Sequence, residues 1–310
     1  MNRYQREIES FLTNESRQLQ LSLSKAYTDL VRDIKVDLKS YMTMYGDLSY
    51  SKRLEVARMQ SLLIQAENQL DILTGVQEDH MFNYLRSVGH TAYNGLFYDF
   101  EQQNGFGIVF NRLPTEVLET TINMRVAGVR LSDRLNDGVI AELKADLTST
   151  MYRGFARGWG YQKMARELAE AGESSFNRAL TIARTEGGRI TAVTRQRSQD
   201  EAVKRGIELG KQWVATFDKH TRDSHQELDG QVVGVEEYFE VNGHKTLQPH
   251  MFGIAEEDIN CRCLTISVIK GYEPSIRRDN ENGEIVKYKN YKEWESSRAP
   301  SQNDKEEEIK

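Results

Sequence analysis

The sequence has little proline and a modest share of apolar residues. Its 310 residues include only four prolines, at positions 114, 249, 274 and 300. A proline inside a helix removes a backbone hydrogen bond and clashes with the preceding turn, so the proline-free stretch before Pro114 favours long helices. Hydrophobic residues make up 38% and charged residues 28% of the chain. This balance is typical of helices with solvated outer faces rather than of a large enzyme core.

Long hydrophobic runs are also absent from the sequence. No window approaches the roughly 18 apolar residues of a membrane-spanning helix, and the first residues lack the apolar core of a signal peptide. We therefore expect no membrane partner for the isolated chain and no export by the secretory route. The net charge of −6 argues against a dedicated double-stranded DNA binder, because such proteins need a concentrated basic surface. A local basic face is compatible with this charge.

Cysteine is scarce as well. The only two cysteines, Cys261 and Cys263, are separated by Arg262 alone. This spacing is poor for a structural disulfide, but it allows two thiolates to converge on one metal ion. Such low cysteine usage indicates folding in a reducing compartment, which is the cytoplasm.

Apolar residues recur at helical spacing from about Arg17 to Leu73. They are Leu23, Tyr27, Leu30, Ile34, Leu38, Tyr41, Met59, Leu63, Ala66, Leu70 and Leu73. The segment 45–49 contains a glycine and candidate capping residues, so the pattern predicts two antiparallel helices joined by a short turn. Such a hairpin either packs on itself as a scaffold or offers a face to a partner helix.

The segment between Gly89 and Pro114 is rich in aromatic residues and glycines. We interpret it as a loop or turn whose rings dock helices together. Base stacking on nucleic acid is the alternative, but the segment has few of the interleaved basic residues that such a surface needs.

Three helices are predicted in the following region. Pro114 marks the start of a helix that runs to about Ala145, and the glycines between 154 and 160 then interrupt the pattern. Helices follow over 163–171 and 177–206, the second capped by Ser174 or Ser175. The last helix carries a row of arginines: Arg178, Arg184, Arg189, Arg195 and Arg197. This row could face phosphate groups or pair with acidic neighbours such as Glu186 and Asp200.

The pattern changes to strands after Gly210. Alternating or β-branched runs predict strands over 211–217, 231–233 and 264–269. The sequence therefore predicts an α+β protein with an extended, mainly helical N-terminal part and a small mixed α/β C-terminal domain. The predicted regions are a helical hairpin for partner docking at 1–110, a helical region at 111–206, the small domain at 207–270 and a polar, partly disordered tail at 271–310.

Candidate metal ligands cluster in the small domain. His225, Cys261 and Cys263 are donors that zinc prefers, and the predicted strands bring their segments together. A fourth ligand completes a tetrahedral shell, with Asp218 the first choice and His220, Asp223 and His250 as alternatives. The expected cofactor is a structural zinc ion. A metal-free hydrogen-bonded cluster of the same residues is the other interpretation.

The same region resembles a known family. The residues that carry the resemblance include Trp213, Asp218, Arg222, His225, Asp229, Gly230, Asn260, Cys261 and Cys263, together with the upstream helical motif that contains Arg184 and Glu186. This pattern, over about residues 150–270, is similar to the phage Mu protein F-like domain of phage head morphogenesis (minor capsid) proteins. The stretch 243–250 departs from the family, because it lacks the usual loop rich in glycine and proline.

The resemblance implies a minor capsid protein of a phage or prophage particle. Proteins of this kind associate with the portal protein and other capsid components and support head assembly and genome packaging or ejection. The implied location is the capsid interior of the virion, with the host cytoplasm during assembly. DNA inside the head is a further expected partner.

Two other functions compete with this expectation. A metal-dependent nuclease could use His225 and Asn260, with a divalent ion stabilising the phosphate. A paired-cysteine site favours closed, structural zinc instead, so we expect no catalytic residues. A toxin fusion would need a catalytic domain after Lys270, where about forty polar residues are too few for an independent core. We also predict that Arg184 reaches the loop from Asp218 to Asp229.

Overall fold

Long helices dominate the computed structural model, which describes residues 1–45, 56–104, 110–216 and 218–269 and the backbone of 276–278 and 285–287. The helices are α1 (Arg3–Tyr45), α2 (Val56–Asn104), α3 (Thr115–Ile122), α4 (Leu131–Asp133), a π-helical segment (Arg134–Ile140), α5 (Ala141–Ala156) and α6 (Tyr161–Lys204). None of these described helices combines the length and apolar character that crossing a bilayer requires.

Short strands and two short helices follow α6. They are β1 (Leu209–Val214), α7 (Asp223–Leu228), β2 (Val232–Gly234), β3 (Phe239–Val241), β4 (His244–Thr246), α8 (Ala255–Asp258), β5 (Leu264–Ile269), β6 (Ile276–Arg278) and β7 (Ile285–Lys287). An antiparallel sheet has the order β2-β1-β5, and β3-β4 and β6-β7 form antiparallel pairs. The predicted α+β class is confirmed, although β1 ends at Val214 and the predicted residue Phe217 lies outside the described residues.

The chain forms two compact units, each built from separate segments. The helical unit comprises the described residues of 13–88 and 114–187. The mixed unit comprises those of 1–12, 89–113 and 188–310. Helices α1, α2 and α6 each contribute residues to both units.

The core of the helical unit follows the predicted apolar pattern. All the residues that define this pattern are buried except Leu63, which is half-buried while its neighbour Leu62 takes the core position. Tyr27 on α1 donates a hydrogen bond of 2.6 Å to Gln77 on α2. Ser16 hydrogen-bonds Tyr84, so α1 and α2 run antiparallel, as predicted. The predicted turn at 45–49 lies mostly outside the described residues.

The aromatic segment after Gly89 is helical, so the prediction of a loop there is wrong for residues 89–104. Glycine permits this helix to approach α1 closely, since a Cβ on Gly95 would lie 2.9 Å from Cγ2 of Ile8. The aromatic rings of Tyr93 and Phe97 are buried in the packing that results. The predicted role of the rings in docking helices is consistent with this burial.

Two predicted helix boundaries are also wrong. The helix that begins after Pro114 ends at Ile122, because the turn that follows places Ala127 and Gly128 at positive φ, 51° and 81°. The two helices predicted over 163–171 and 177–206 are one helix, α6. Ser175 caps nothing, since its hydroxyl donates a 3.2 Å hydrogen bond to the carbonyl of Val139 across the core. The interruption predicted between 154 and 160 is confirmed for 157–160, whereas residues 154–156 still belong to α5.

Candidate metal centre

Pairing of β1 with β5 brings the candidate ligand segments together. Val214 pairs with Leu264, so the end of β1 lies beside the start of β5. The chain after β1 folds back, because Asp229 accepts a 2.8 Å hydrogen bond from the backbone of Ala215. Gly230 donates to the carbonyl of Trp213 at 2.9 Å and has a φ of 83°, which favours glycine. These contacts place α7 over the residues that precede β5.

Three of the predicted ligands form one buried group. The ligand atoms of His225, Cys261 and Cys263 all lie within 4.8 Å of one another. Nδ1 of His225 lies 3.6 Å from Sγ of Cys261 and 3.3 Å from Sγ of Cys263. The backbone N–H of Cys263 donates to Sγ of Cys261 at 3.4 Å. Both thiols are therefore directed at one imidazole nitrogen, and neither forms a disulfide.

A carboxylate faces the other nitrogen of the same histidine. Nε2 of His225 lies 3.0 Å from Oε2 of Glu257 on α8, although the approach does not have the direction of an ideal hydrogen bond. The hydroxyl of Ser224 donates to the same oxygen at 2.9 Å. Sequence reasoning missed Glu257. The sequence feature that could have pointed to it is a run of three acidic residues at 256–258, just before the cysteines. In the structure, only Glu257 of these three is buried.

His250 lies next to Cys261. Its side chain hydrogen-bonds Cys261, and its ring packs so closely on α6 that a Cβ on Gly188 would lie 2.2 Å from Cε1. The backbone of His250 has a φ of 64°, which is uncommon for a residue other than glycine. Asp258 orders the next turn by accepting backbone hydrogen bonds from Phe252 and Gly253, at 3.1 and 2.7 Å.

The environment separates the protonation states of the two thiols. The hydrogen bond from Cys263 lowers the pKa of Cys261 well below its usual range, and the nearby His250 and His225 add to this effect. The same hydrogen bond, together with burial, raises the pKa of Cys263. Burial alone would lower the pKa of His250, but the charge and hydrogen bond of Cys261 outweigh it and leave that pKa raised. The lowered pKa favours the thiolate form of Cys261, which is the form that binds metals.

The structure does not bring Asp218 into the ligand group. Oδ1 of Asp218 accepts a 2.7 Å hydrogen bond from Nη2 of Arg262, and a second contact completes a bidentate pair. The Arg262 guanidinium lowers the pKa of the Asp218 carboxyl. His220 and Asp223, two of the alternatives, are exposed. His250 is therefore the alternative that lies next to the cysteines.

The remaining motif residues have structural contacts. Trp213 is fully buried, with its ring edge-on to His225 at a centroid distance of 5.5 Å. Arg222 donates to the carbonyl of Ile259 at 2.6 Å, and Asn260 adopts a positive φ of 55° in the turn before Cys261. In the helical unit, Glu186 is buried and forms a 2.7 Å ion pair with Arg134, whereas Arg184 is exposed.

This geometry does not favour a nuclease. The side chain of His225 is only 2% exposed, enclosed by the rings of Trp213 and Phe252. A general base must come within hydrogen-bond reach of the proton that it abstracts, and a phosphodiester backbone is too large to enter this core.

Comparison with known proteins agrees with this arrangement. Residues 145–266 match the family described as Phage Mu protein F like protein, and this range contains the whole candidate metal centre. Residues 145–266 of the chain are thus similar to the phage Mu protein F like family. The resemblance expected from the sequence, to head morphogenesis and minor capsid proteins, is confirmed.

Two relatives match almost all of this chain. It is 38% identical over 298 residues to the NAD(+)--arginine ADP-ribosyltransferase EFV of Enterococcus faecalis. This match covers 96% of the chain but only 61% of the relative. It is 27% identical over 313 residues to the minor head protein GP7 of Bacillus phage SPP1. This match covers 96% of the chain and 98% of the relative. The chain thus spans about three-fifths of the first relative and nearly all of the second.

A third relative matches a shorter part of the chain. An uncharacterized protein of Haemophilus influenzae is 25% identical over 147 residues, which are 47% of this chain and 30% of that protein. No solved structure matches.

Proposed function

We propose that this chain is a minor head protein of a phage or prophage, and that it assembles with the portal protein and other capsid components. The observation that carries the proposal is the similarity to minor head protein GP7, which extends over 96% of this chain and 98% of the relative. A match of that extent includes the long helices as well as the family segment at 145–266. On this proposal the protein supports head assembly and genome packaging or ejection.

The shape of the helices supports a role in assembly. Helices α1, α2 and α6 contain 43, 49 and 44 residues, and α1 has exposed residues along its whole length. Helices of this length present extended surfaces on which capsid partners can pack. The proposed location is the capsid interior of the virion, after assembly in the host cytoplasm.

DNA inside the head is a weaker part of the proposal. The predicted arginine row does not form a continuous basic face, because Arg189 and Arg195 are buried. Arg195 pairs with Glu9 and donates to the carbonyl of Thr265 at 2.9 Å, and Arg178 pairs with Glu142. Arg178, Arg184 and Arg197 are the exposed members of the row. We therefore expect contact with DNA to be limited to these isolated charges.

Particle composition tests the proposal. Heads purified from the phage or prophage that encodes this chain are analysed by quantitative mass spectrometry, beside heads from a deletion strain and from that strain complemented with the gene. We expect the chain in few copies in the first and third preparations, and fewer filled heads in the second. Co-expression with the portal protein of the same phage should also yield a complex that co-purifies. Heads that lack the chain but form and package normally would contradict the proposal.

The name of the first relative raises the question of an enzyme. The part shared with the ADP-ribosyltransferase is also shared with minor head protein GP7, and 39% of the transferase lies outside its match, because 61% is covered. We assign the shared part to the head function on this ground. The check is an assay of the purified chain with NAD and an arginine analogue, with the Enterococcus faecalis relative as positive control. We expect no ADP-ribosyl transfer, and transfer above the blank would make this chain an enzyme.

A further inference from the structure

Two imidazoles and two thiols meet in the core of the mixed unit. His225, Cys261 and Cys263 are mutually close, and the ring of His250 hydrogen-bonds Cys261. We propose that these four side chains bind one zinc ion, which holds α7, the turn at His250 and the start of β5 together. This site goes beyond the proposed head function, since a head protein needs no metal in order to bind its partners.

The distances fit tetrahedral zinc. With zinc–sulfur bonds of about 2.3 Å and zinc–nitrogen bonds of about 2.0 Å, a tetrahedral shell places nitrogen and sulfur about 3.5 Å apart. The observed separations from Nδ1 of His225 are 3.6 Å to Cys261 and 3.3 Å to Cys263. An ion can therefore replace the thiol protons with little movement of the three side chains.

The contacts around the first histidine match a metal-binding histidine. An imidazole that coordinates zinc through one nitrogen generally presents the other to a carboxylate, which fixes the ring and its tautomer. Here Nδ1 faces the sulfurs and Nε2 lies 3.0 Å from Glu257. Ser224 in turn donates to Glu257, so the carboxylate itself is positioned. We assign Glu257 as a positioning residue rather than a ligand.

The fourth donor rests on two observations at His250. Its buried ring hydrogen-bonds Cys261, so one of its nitrogens lies next to a candidate ligand. Its backbone also adopts a positive φ of 64°, a strained conformation that tends to persist where function requires it. A zinc ion bound to Cys261 would take this ring nitrogen as its fourth ligand in place of the hydrogen bond, and the bond to zinc would compensate for the strain.

The donor set favours zinc in a closed, structural site. Two thiolates with two imidazoles in tetrahedral geometry are typical of zinc, whereas magnesium and calcium prefer oxygen ligands. All four side chains are buried, so a shell that they fill has no open position for substrate.

Metal content of the full chain tests the proposal directly. The protein is expressed with zinc in the medium, purified without chelators and measured by elemental analysis, with folding checked by circular dichroism. We expect about one zinc ion per chain. Replacement by Co²⁺ should give the absorption of tetrahedral cobalt together with thiolate-to-cobalt charge transfer. A folded chain that retains no zinc and shows no such cobalt spectrum would overturn the proposal, including when the cysteines are found as a disulfide.

Variants identify the ligands. Cys261→Ser and Cys263→Ser should each lose most of the zinc, and Glu257→Gln should weaken zinc binding about 10–100-fold, as expected for a carboxylate behind a ligand. His220→Gln, an exposed histidine in the same region, is the matched control and should bind zinc normally. His250→Gln decides the fourth position, because unchanged affinity would remove His250 from the site. If the cysteine variants do not fold, the wild-type cobalt spectrum decides the question.

Discussion

The helical unit and the mixed unit bury different kinds of side chain. The core of the helical unit is a set of apolar residues from α1, α2, the π-helical segment, α5 and α6. The mixed unit has a smaller apolar core around Trp213, beside which it buries polar side chains. These include Gln196, Gln199, Lys211, Gln248 and Thr265. Apolar packing tolerates many sequences of suitable volume, whereas a buried polar network stabilises a fold only when each member has its partner.

The polar network of the mixed unit is closely connected. The amide of Gln248 donates to Gln196 and Gln199 at 2.9 and 2.8 Å, and Thr265 donates to Gln248. Nζ of Lys211 donates to the carbonyl of Val235 at 2.8 Å and to Gln196 at 3.2 Å. The network joins α6 to β1 and β5, so this part of the fold depends on specific pairs. The comparison predicts that the two units respond differently to substitution.

The largest effect is expected from a cavity in the helical unit. Phe155 is 2% exposed, and its ring lies 5.0 Å from that of Tyr41. Phe155→Ala should lower the free energy of unfolding by about 3–5 kcal/mol, because it removes buried apolar area and leaves a void. Urea unfolding at neutral pH measures the change. Tyr152→Ala on the same helix is the control, since Tyr152 is 45% exposed, and an equal loss in both variants would contradict the apolar-core interpretation.

A pH-dependent effect is expected from the mixed unit. Burial lowers the pKa of Lys211 to about 8 from 10.5, so above pH 8 the unfolded state binds more protons than the folded state. The stability of the wild type should therefore rise between pH 8 and 10.5, by about 2–3 kcal/mol relative to Lys211→Met. Urea unfolding of both proteins across this range measures the difference. If the free energies of unfolding of the wild type and Lys211→Met differ by the same amount from pH 8 to 10.5, Lys211 keeps its proton in the folded state over this range.

The contrast between the units also explains how far the sequence could predict the fold. Residues such as Tyr27, Leu30 and Ile34 repeat with the helical period, so their burial follows from the spacing alone. The predicted helix ends were less accurate. The sequence predicts a loop around Gly95, but Gly95 lies within α2 and allows Ile8 to approach. Ser175 is a candidate helix cap in the sequence, but its hydroxyl donates to the carbonyl of Val139. Both are tertiary contacts, which local patterns do not encode.

The part of the candidate site that could be predicted consists of ligands that are close in sequence or that the predicted strands bring together. Cys261 and Cys263 are neighbours in sequence, and His225 lies in the loop that the predicted strands bring towards them. From the sequence, Asp218 is the first choice for the fourth ligand, with His250 among the alternatives. Its pairing with Arg262 and the packing of His250 on Gly188 depend on the folded arrangement of several segments.

A smaller effect is expected at the turn that folds α7 towards the metal centre. Asp229 is buried and accepts the backbone hydrogen bond from Ala215. Asp229→Ala leaves this N–H without its partner and should cost about 1–3 kcal/mol. Asp223→Ala, at an exposed position in the first turn of α7, is the control and should change stability much less. Chemical denaturation of both variants measures this, and equal stability of the two would argue that the Asp229 contact contributes little.

The smallest change in stability is expected from glycine-to-alanine substitutions, which should have opposite effects in the two units. Gly75 lies exposed within α2 in the helical unit, with nothing within 4 Å of an added Cβ, so Gly75→Ala should stabilise the protein by about 0.5–1 kcal/mol. Gly188 is also inside a long helix, but its added Cβ would meet the ring of His250 at 2.2 Å. Gly188→Ala should therefore destabilise the protein and displace His250. Thermal melting of both variants makes the comparison. Stabilisation by Gly188→Ala would mean that the ring of His250 can move away freely. It would then contradict the claim that close packing on Gly188 holds this ring next to Cys261.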